Sequence, residues 1–385
     1  MKKIVVVGSG LAGYTLVREL RKLNREIPVT QVSRDSGDYY SKPMLSNALA
    51  LGKDAQSLIL TRAADMAKQF NVNLLAHCEV SAIDTSAKQL VTTNGIVDYD
   101  RLVLALGADP ICIPLQGDAS DTVLSVNDLT GYAHLRELLG VAKCIAIMGA
   151  GLIGCEFAND LAAAGYAVSV IDPGSGPLAG LMPEQAGAQL QAALSGQGVS
   201  WYFGVVVRSV DLASRGYALA LSDGSTVYAD LVLSAVGLRP HIQLAKQAGL
   251  DVNRGIRVNA QLQTSDPSIF ALGDCAEIEG RVLPYVLPIM HGGRVLAKVL
   301  NGEDARVVFP PMPVVVKTPA HPVVVSPVAR DAAGSWQRLA AGQGVKLGFY
   351  DEQNNLRGFV LTGEYAGERS EMTGKLTGQV QGATR

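Results

Sequence analysis

Two copies of one short pattern decide most of what this chain can fold into. Gly8-Ser9-Gly10-Leu11-Ala12-Gly13 and Gly149-Ala150-Gly151-Leu152-Ile153-Gly154 both read G-x-G-x-x-G. Each follows a short apolar run, Ile4 to Val7 and Ile145 to Met148, and leads into a helical pattern. A strand, a glycine turn and a helix in that order bind the pyrophosphate of a dinucleotide. The first glycine makes the tight turn, the second lets the backbone approach the phosphates, and the third lets helix and strand pack closely. The helix N-terminus offers unpaired N–H groups and a partial positive charge to the anion. One such pattern says little, because glycine-rich turns are common. Two in this context predict a flavin and a nicotinamide dinucleotide on one chain.

A length of 385 residues suggests two or three domains. With 48% hydrophobic and 18% charged residues, the composition is that of an ordinary soluble α/β protein. The net charge of −2 gives no global argument for binding nucleic acid or membrane. Met1-Lys2-Lys3, followed by an uncharged stretch to Val17, imitates a secretory signal. Its glycines fit the dinucleotide turn and no A-x-A site follows, so it reads as the first strand, turn and helix. No apolar run approaches the ~20 residues of a membrane helix, and a soluble, cytoplasmic protein is expected. The five cysteines, Cys78, Cys112, Cys144, Cys155 and Cys275, form neither C-x-x-C nor a zinc spacing and read as buried, reduced thiols. Without a redox-active pair, the chain has no cysteines with which to pass electrons to a disulfide. The five histidines are equally dispersed, so no metal site is expected.

Along the chain, Leu16, Val17, Leu20 and Leu23 continue the first helix at helical spacing, and Val29 to Ser33 is the next strand. Tyr39-Tyr40-Ser41-Lys42-Pro43-Met44-Leu45-Ser46 breaks the periodicity. Val72 to Ile83 and Lys88 to Val97 read as strands, and Arg101 to Leu106 as an apolar strand. A second unit runs from Cys144 through Asp172, with a later strand from Leu231 to Ala235. The segments Leu102 to Pro110 and Leu231 to Pro240 each carry an apolar strand, a small-residue turn and a proline. That recurrence reads as an internal duplication, with the chain crossing between domains at the prolines. Val314–Val316 and Val323–Val325, set among prolines, suggest a small β-rich C-terminal domain. Glu364 to Arg385 is polar and is expected to fray. The expected organisation is α/β, with two Rossmann-like dinucleotide-binding domains. Residues 1–110 and 240–310 form the FAD domain, 111–239 the NAD domain, and 311–385 the small C-terminal domain.

Asp172 stands 23 residues past Gly149, at the end of the strand Ala167 to Ile171. A carboxylate there accepts both ribose hydroxyls of NAD and repels a 2′-phosphate. Pro173-Gly174-Ser175-Gly176 supplies no arginine to hold that phosphate, so NADH is preferred over NADPH. At the matching end in the first unit stand Ser33 and Arg34, with Asp35 just beyond, and the ribose contact there stays open. Thr264 to Asp274 fits T-x4-[aromatic or aliphatic]-x-A-x-G-D.

With the two glycine patterns in this order, that segment resembles the flavoprotein reductases with two dinucleotide-binding domains. The resemblance implies that Asp274 hydrogen-bonds the ribityl hydroxyls of FAD. Tyr40 to Ser46, with a lysine before proline, is similar to the ferredoxin- and rubredoxin-type branch. Chain length, the small C-terminal domain and Val316-Lys317-Thr318-Pro319 are most similar to its rubredoxin-type members. Within that resemblance Lys42 lies by the flavin, with Glu156 as its charge partner, and Lys317 contacts the flavin from the edge of the C-terminal domain. Val80, ending a strand, matches a backbone contact to adenine. Val286, just before the helix Ile289 to Leu300, lies where the family aims a helix N-terminus at the flavin pyrimidine.

The implied activity takes hydride from NADH onto FAD and releases single electrons to rubredoxin, since a flavin accepts two electrons together and gives them up singly. Two other readings share the motifs. One is the ferredoxin reductase component of a ring-hydroxylating dioxygenase; the other is a redox-sensing flavoprotein with little turnover. Because rubredoxins are small and acidic, the resemblance also implies a basic docking patch, with Lys42, Lys317 and Arg294 as candidates.

Overall fold

The computed structural model describes residues 2–329 and 331–376, divided into two compact units that the chain visits alternately. The first unit gathers the chain up to Lys42, Ile59–Asp109 and Arg239–Phe309; the second gathers Pro43–Leu58, Pro110–Leu238 and the chain from Pro310.

In the first unit, strand β1 (Ile4–Val7) leads through the glycine turn into helix α1 (Leu11–Leu23) and on to strand β2 (Val29–Val32). The sheet is wholly parallel, in the order Ile269–Ala271, Arg101–Leu104, β1, β2, Asn73–Leu75. All four β1 residues are buried, as expected of a parallel strand covered on both faces. The expected strand Val72 to Ile83 is two strands, Asn73–Leu75 and Val80–Asp84, separated by a turn in which His77 takes a φ of +49°. Val80 therefore begins a strand rather than ending one. Lys88 to Val97 likewise folds back on itself, as the hairpin Gln89–Thr92 and Gly95–Asp98.

The second unit repeats the scheme with strand β3 (Cys144–Met148), helix α2 (Leu152–Ala163) and strand β4 (Ala167–Asp172). Its parallel sheet runs Val199–Phe203, β4, β3, Leu231–Ser234. Five antiparallel strands follow in the order Val314–Val316, Val323–Ser326, Leu356–Thr362, Lys346–Tyr350, Ser335–Ala340. The β-rich C-terminal part is thus present. Fraying from Glu364 is not what the described residues show. A 3-10 helix, Gly363–Glu368, and an α-helix, Arg369–Lys375, close this part, and buried Met372 packs them on Phe359 and Leu361. The remainder of that expectation, on residues 377–385, lies outside the described residues. No described helix is long and apolar enough to cross a membrane. Cys78, Cys155 and Cys275 are buried, but Cys112 and Cys144 are exposed, contrary to the expectation that all five are buried.

Candidate functional site

One candidate site is the turn between β1 and α1. Gly8 has φ +119°, and a Cβ there would stand 2.2 Å from the Ala105 carbonyl oxygen. A Cβ on Gly13 would stand 2.1 Å from the Gly8 carbonyl oxygen, so both positions exclude any side chain. Gly10 faces open space, with nothing within 4 Å of where a Cβ would be. It caps α1 without a side-chain hydrogen bond, and no acidic residue stands in the first turn, so the N–H groups around Leu11 and Ala12 remain available to an anion. Beside the turn, Ser9 and Ser33 share a hydrogen bond of 2.5 Å. Asp35 Oδ1 accepts from the Ser33 hydroxyl (2.5 Å), the Gly37 N–H (2.9 Å) and the Ser9 hydroxyl (3.2 Å). The sequence placed Asp35 just past the strand end; the structure turns it back onto the glycine turn. Arg34 points elsewhere, with its guanidinium 3.7 Å from Asp109.

Asp274 follows the strand Ile269–Ala271 in the same unit. Its Oδ1 is buried without a hydrogen-bond partner among the described residues. Burial pushes the carboxyl above the usual carboxylate range, and the Lys42 charge pulls it the other way. A buried acceptor with no donor fits a hydroxyl-bearing ligand, which is what the ribityl chain of FAD offers. Val286 is the first residue of its helix, Val286–Leu300, rather than the residue before it.

The turn between β3 and α2 in the second unit repeats the first. Gly149 has φ +104°, and a Cβ there would stand 2.6 Å from the Ala235 carbonyl oxygen; one on Gly154 would stand 1.9 Å from that of Gly149. Ala105 and Ala235, which wall the two turns, come from the two similar strand ends in the sequence, so the duplication is visible in the geometry. Gly151 caps α2 with no side-chain hydrogen bond. Asp172 accepts the Ala150 N–H on Oδ2 and the Gly174 N–H on Oδ1, both at 2.6 Å. It shapes the turn itself while presenting negative charge at the strand end.

Helix α2 then carries three buried polar side chains on one face, Glu156, Asn159 and Asp160. Glu156 Oε1 accepts the Lys317 backbone N–H at 2.9 Å, and Oε2 accepts the Ser46 hydroxyl at 2.6 Å and the Lys317 ammonium. The same ammonium donates to the Pro43 carbonyl at 2.6 Å and to Ser46 at 3.2 Å. Asn159 accepts the Ala320 N–H at 3.1 Å, and Asp160 accepts those of Leu49 and Ala50 at 2.9 Å each. Lys317, which the sequence reading set against the flavin, thus meets Glu156. The physical reason is reach: the backbone of residues 317–320 runs along α2, so Lys317 meets Glu156 with both main chain and side chain. Asn159 and Asp160 were missed, because polar residues on a helix ordinarily read as a solvated face. Among the described residues no group of three or more His, Cys, Asp or Glu is placed to hold a metal ion.

Comparison with known proteins agrees with this arrangement. Residues 2–294 match the pyridine nucleotide-disulphide oxidoreductase family. The chain belongs to that family. Residues 306–376 match a rubredoxin binding C-terminal domain. A protein named rubredoxin-NAD(+) reductase from Alcanivorax borkumensis is 46% identical over 377 residues, covering 98% of this chain and 99% of that one. Another of the same name, from Acinetobacter baylyi, is 44% identical, covering 96% of each. Among solved structures, a covalent putidaredoxin reductase–putidaredoxin complex superposes with a TM-score of 0.87 at 25% identity, covering 98% of this chain and 94% of that one.

Proposed function

We propose that this chain is a rubredoxin–NAD(+) reductase, an FAD enzyme that takes hydride from NADH and hands electrons one at a time to rubredoxin. The observation that carries the reading is the rubredoxin binding domain matched at residues 306–376, on a chain with two dinucleotide turns. FAD, when bound, supplies the conversion of a two-electron donor into single-electron steps. The first turn, with Gly8, Ser9, Gly10, Leu11, Ala12 and Gly13, would hold its pyrophosphate, Asp274 its ribityl chain and Val80 its adenine. Ser33 and Arg34 flank that adenosine end, and Val286 opens a helix whose N-terminus favours negative charge on the ring. Gly149, Gly151 and Gly154 would take the NADH pyrophosphate, with Asp172 on the ribose. Lys42 is the catalytic cation: a positive charge by the ring favours the electron density that hydride adds. Glu156 would act on it as a positioning residue, holding Ser46 directly and Pro43 by way of the Lys317 ammonium, both on the segment that follows Lys42. The use of NADH as reductant supports a cytoplasmic location.

The docking surface follows from the cations that remain uncommitted. The Lys317 ammonium is occupied by Glu156, Pro43 and Ser46. Arg294 lines a cavity of about 730 Å³ in the first unit with Lys22, Lys298 and Arg306, opposed by Glu19 and Asp304. Lys22 pairs with Glu19, while Arg294, Lys298 and Arg306 make no ion pair among the described residues. This excess of positive charge suits an acidic carrier. The test is anaerobic mixing of the purified protein with NADH and then rubredoxin. Rapid bleaching of the flavin followed by catalytic rubredoxin reduction is expected. Turnover with a ferredoxin but not rubredoxin would overturn the partner. Slow bleaching without turnover of either carrier would favour a redox sensor.

A further inference from the structure

The two glycine turns are built alike but held differently. The Gly8 N–H donates to the Val32 carbonyl and the Gly149 N–H to that of Ile171, both at 2.8 Å. The residues preceding those acceptors, Gln31 and Val170, are therefore equivalent, and both are fully buried. Gln31 Nε2 donates to the Gly8 carbonyl at 3.0 Å and lies 3.0 Å from where a Cβ on Gly13 would stand. Its Oε1 is buried with no partner among the described residues. A buried orphan acceptor is costly, and Val170 shows that a dinucleotide turn can be built over an apolar residue.

We propose that Gln31 is a positioning residue for FAD, whose amide fixes the Gly8–Ser9 peptide so that the first turn keeps its binding shape when empty. Carbonyl and N–H of a trans peptide point in opposite directions, so a donor on the Gly8 oxygen sets the whole plane. The Ser9–Ser33–Asp35 chain holds the next side chain, and the turn is braced from two sides. A loop ordered in advance loses less entropy on binding, which tightens the complex without a new ligand contact. In the second unit the corresponding peptide is held, among the described residues, only through its Ala150 N–H by Asp172, the carboxylate assigned to the ribose. The asymmetry suits one cofactor that stays through turnover and another that leaves every cycle.

The proposal rests on the first turn being the FAD site, and the test separates the two. In Gln31→Met, which keeps length and removes both polar atoms, FAD release from the holoenzyme, followed by its fluorescence, should quicken about 3- to 10-fold. Urea resistance of the apoprotein should hardly change, since the variant loses one hydrogen bond and one orphan acceptor together. Gln31→Val, copying the second unit, serves where Met does not fold. NADH affinity should be unaltered in either. Unchanged FAD release, or a loss of apoprotein stability in proportion to it, overturns the proposal. Gly10→Glu places a carboxylate in the open space of the turn and should abolish FAD binding; if it does not, the assignment of the site falls as well.

Discussion

Exchanging Glu156 for glutamine removes one charge from a buried cluster and leaves its shape. The glutamate side chain is 4% exposed and that of Lys317 is 30% exposed. Breaking a buried pair costs about 3–5 kcal/mol; with part of the lysine still in water, about 2–3 kcal/mol is expected. The backbone N–H of Lys317 can still donate to the amide oxygen, so the loss reports the charge rather than the contact. Lys317→Met should cost a similar amount, by stranding the carboxylate. The double variant should cost less than the sum of the two by about 1–2 kcal/mol, because neither stranded charge remains. The assay is built into the chain: its two tryptophans, Trp201 and Trp336, both lie in the second unit, so tryptophan fluorescence during urea unfolding reports that unit. Additivity within about 0.5 kcal/mol would refute the reasoning, since it would mean that lysine and glutamate are not energetically joined.

Asp172→Ala should weaken NADH binding by ~10- to 150-fold, from the ~1.5–3 kcal/mol that a charged acceptor carries, and should narrow the preference over NADPH; initial rates with both cofactors measure this, and an unchanged preference would unseat the second turn as the NAD site. Rubredoxin-dependent turnover at low carrier should fall as the Debye length shrinks from ~30 Å at 0.01 M salt to ~10 Å at 0.1 M, while NADH reduction of the flavin changes much less. Arg294→Glu with Lys298→Glu should flatten that dependence, and equal salt sensitivity of both half-reactions would sink electrostatic steering. Burial lowers the pKa of His321, and burial with the Arg294 charge lowers that of His291, from the ordinary value of 6.5. In the window just below 6.5 the unfolded chain binds more protons, so stability present above it is lost as pH falls. His321→Gln should reduce the slope of melting temperature between pH 7.5 and 5.5, and an unaltered slope would contradict the burial argument.

The features legible in the sequence are those set by local spacing. Each glycine turn lies within six residues, and Asp274 closes a run of eleven, so both could be read without knowing the fold. Lys317 and Glu156 are 161 positions apart and meet only because the chain returns to α2 after leaving the second unit to complete the first. Gln31 was silent for a different reason. In a short strand a lone polar residue reads as outward-facing, yet in a parallel sheet both faces are covered. The strand break before Val80 was hidden because His77, not glycine, takes the left-handed turn. A single buried methionine, Met372, holds the final helix in a stretch whose composition otherwise suggests a loose end.

The alternation of the two units has a consequence for how the molecule is made. Strand Ile269–Ala271 is the edge neighbour of Arg101–Leu104 in the first sheet, so that sheet cannot be finished until most of the chain has been synthesised. Meanwhile the second unit's parallel sheet closes within residues 144–234, from strands near one another in sequence. The second unit's sheet can therefore assemble first although its turn comes second in the chain, while the N-terminal strands of the first unit wait unfinished. Pairings across such long separations are slow, and exposed parallel edges invite wrong partners in the interval. Under the proposed assignment of FAD to the first turn, its early supply acts on assembly as much as on catalysis, by favouring the completed sheet over its competitors.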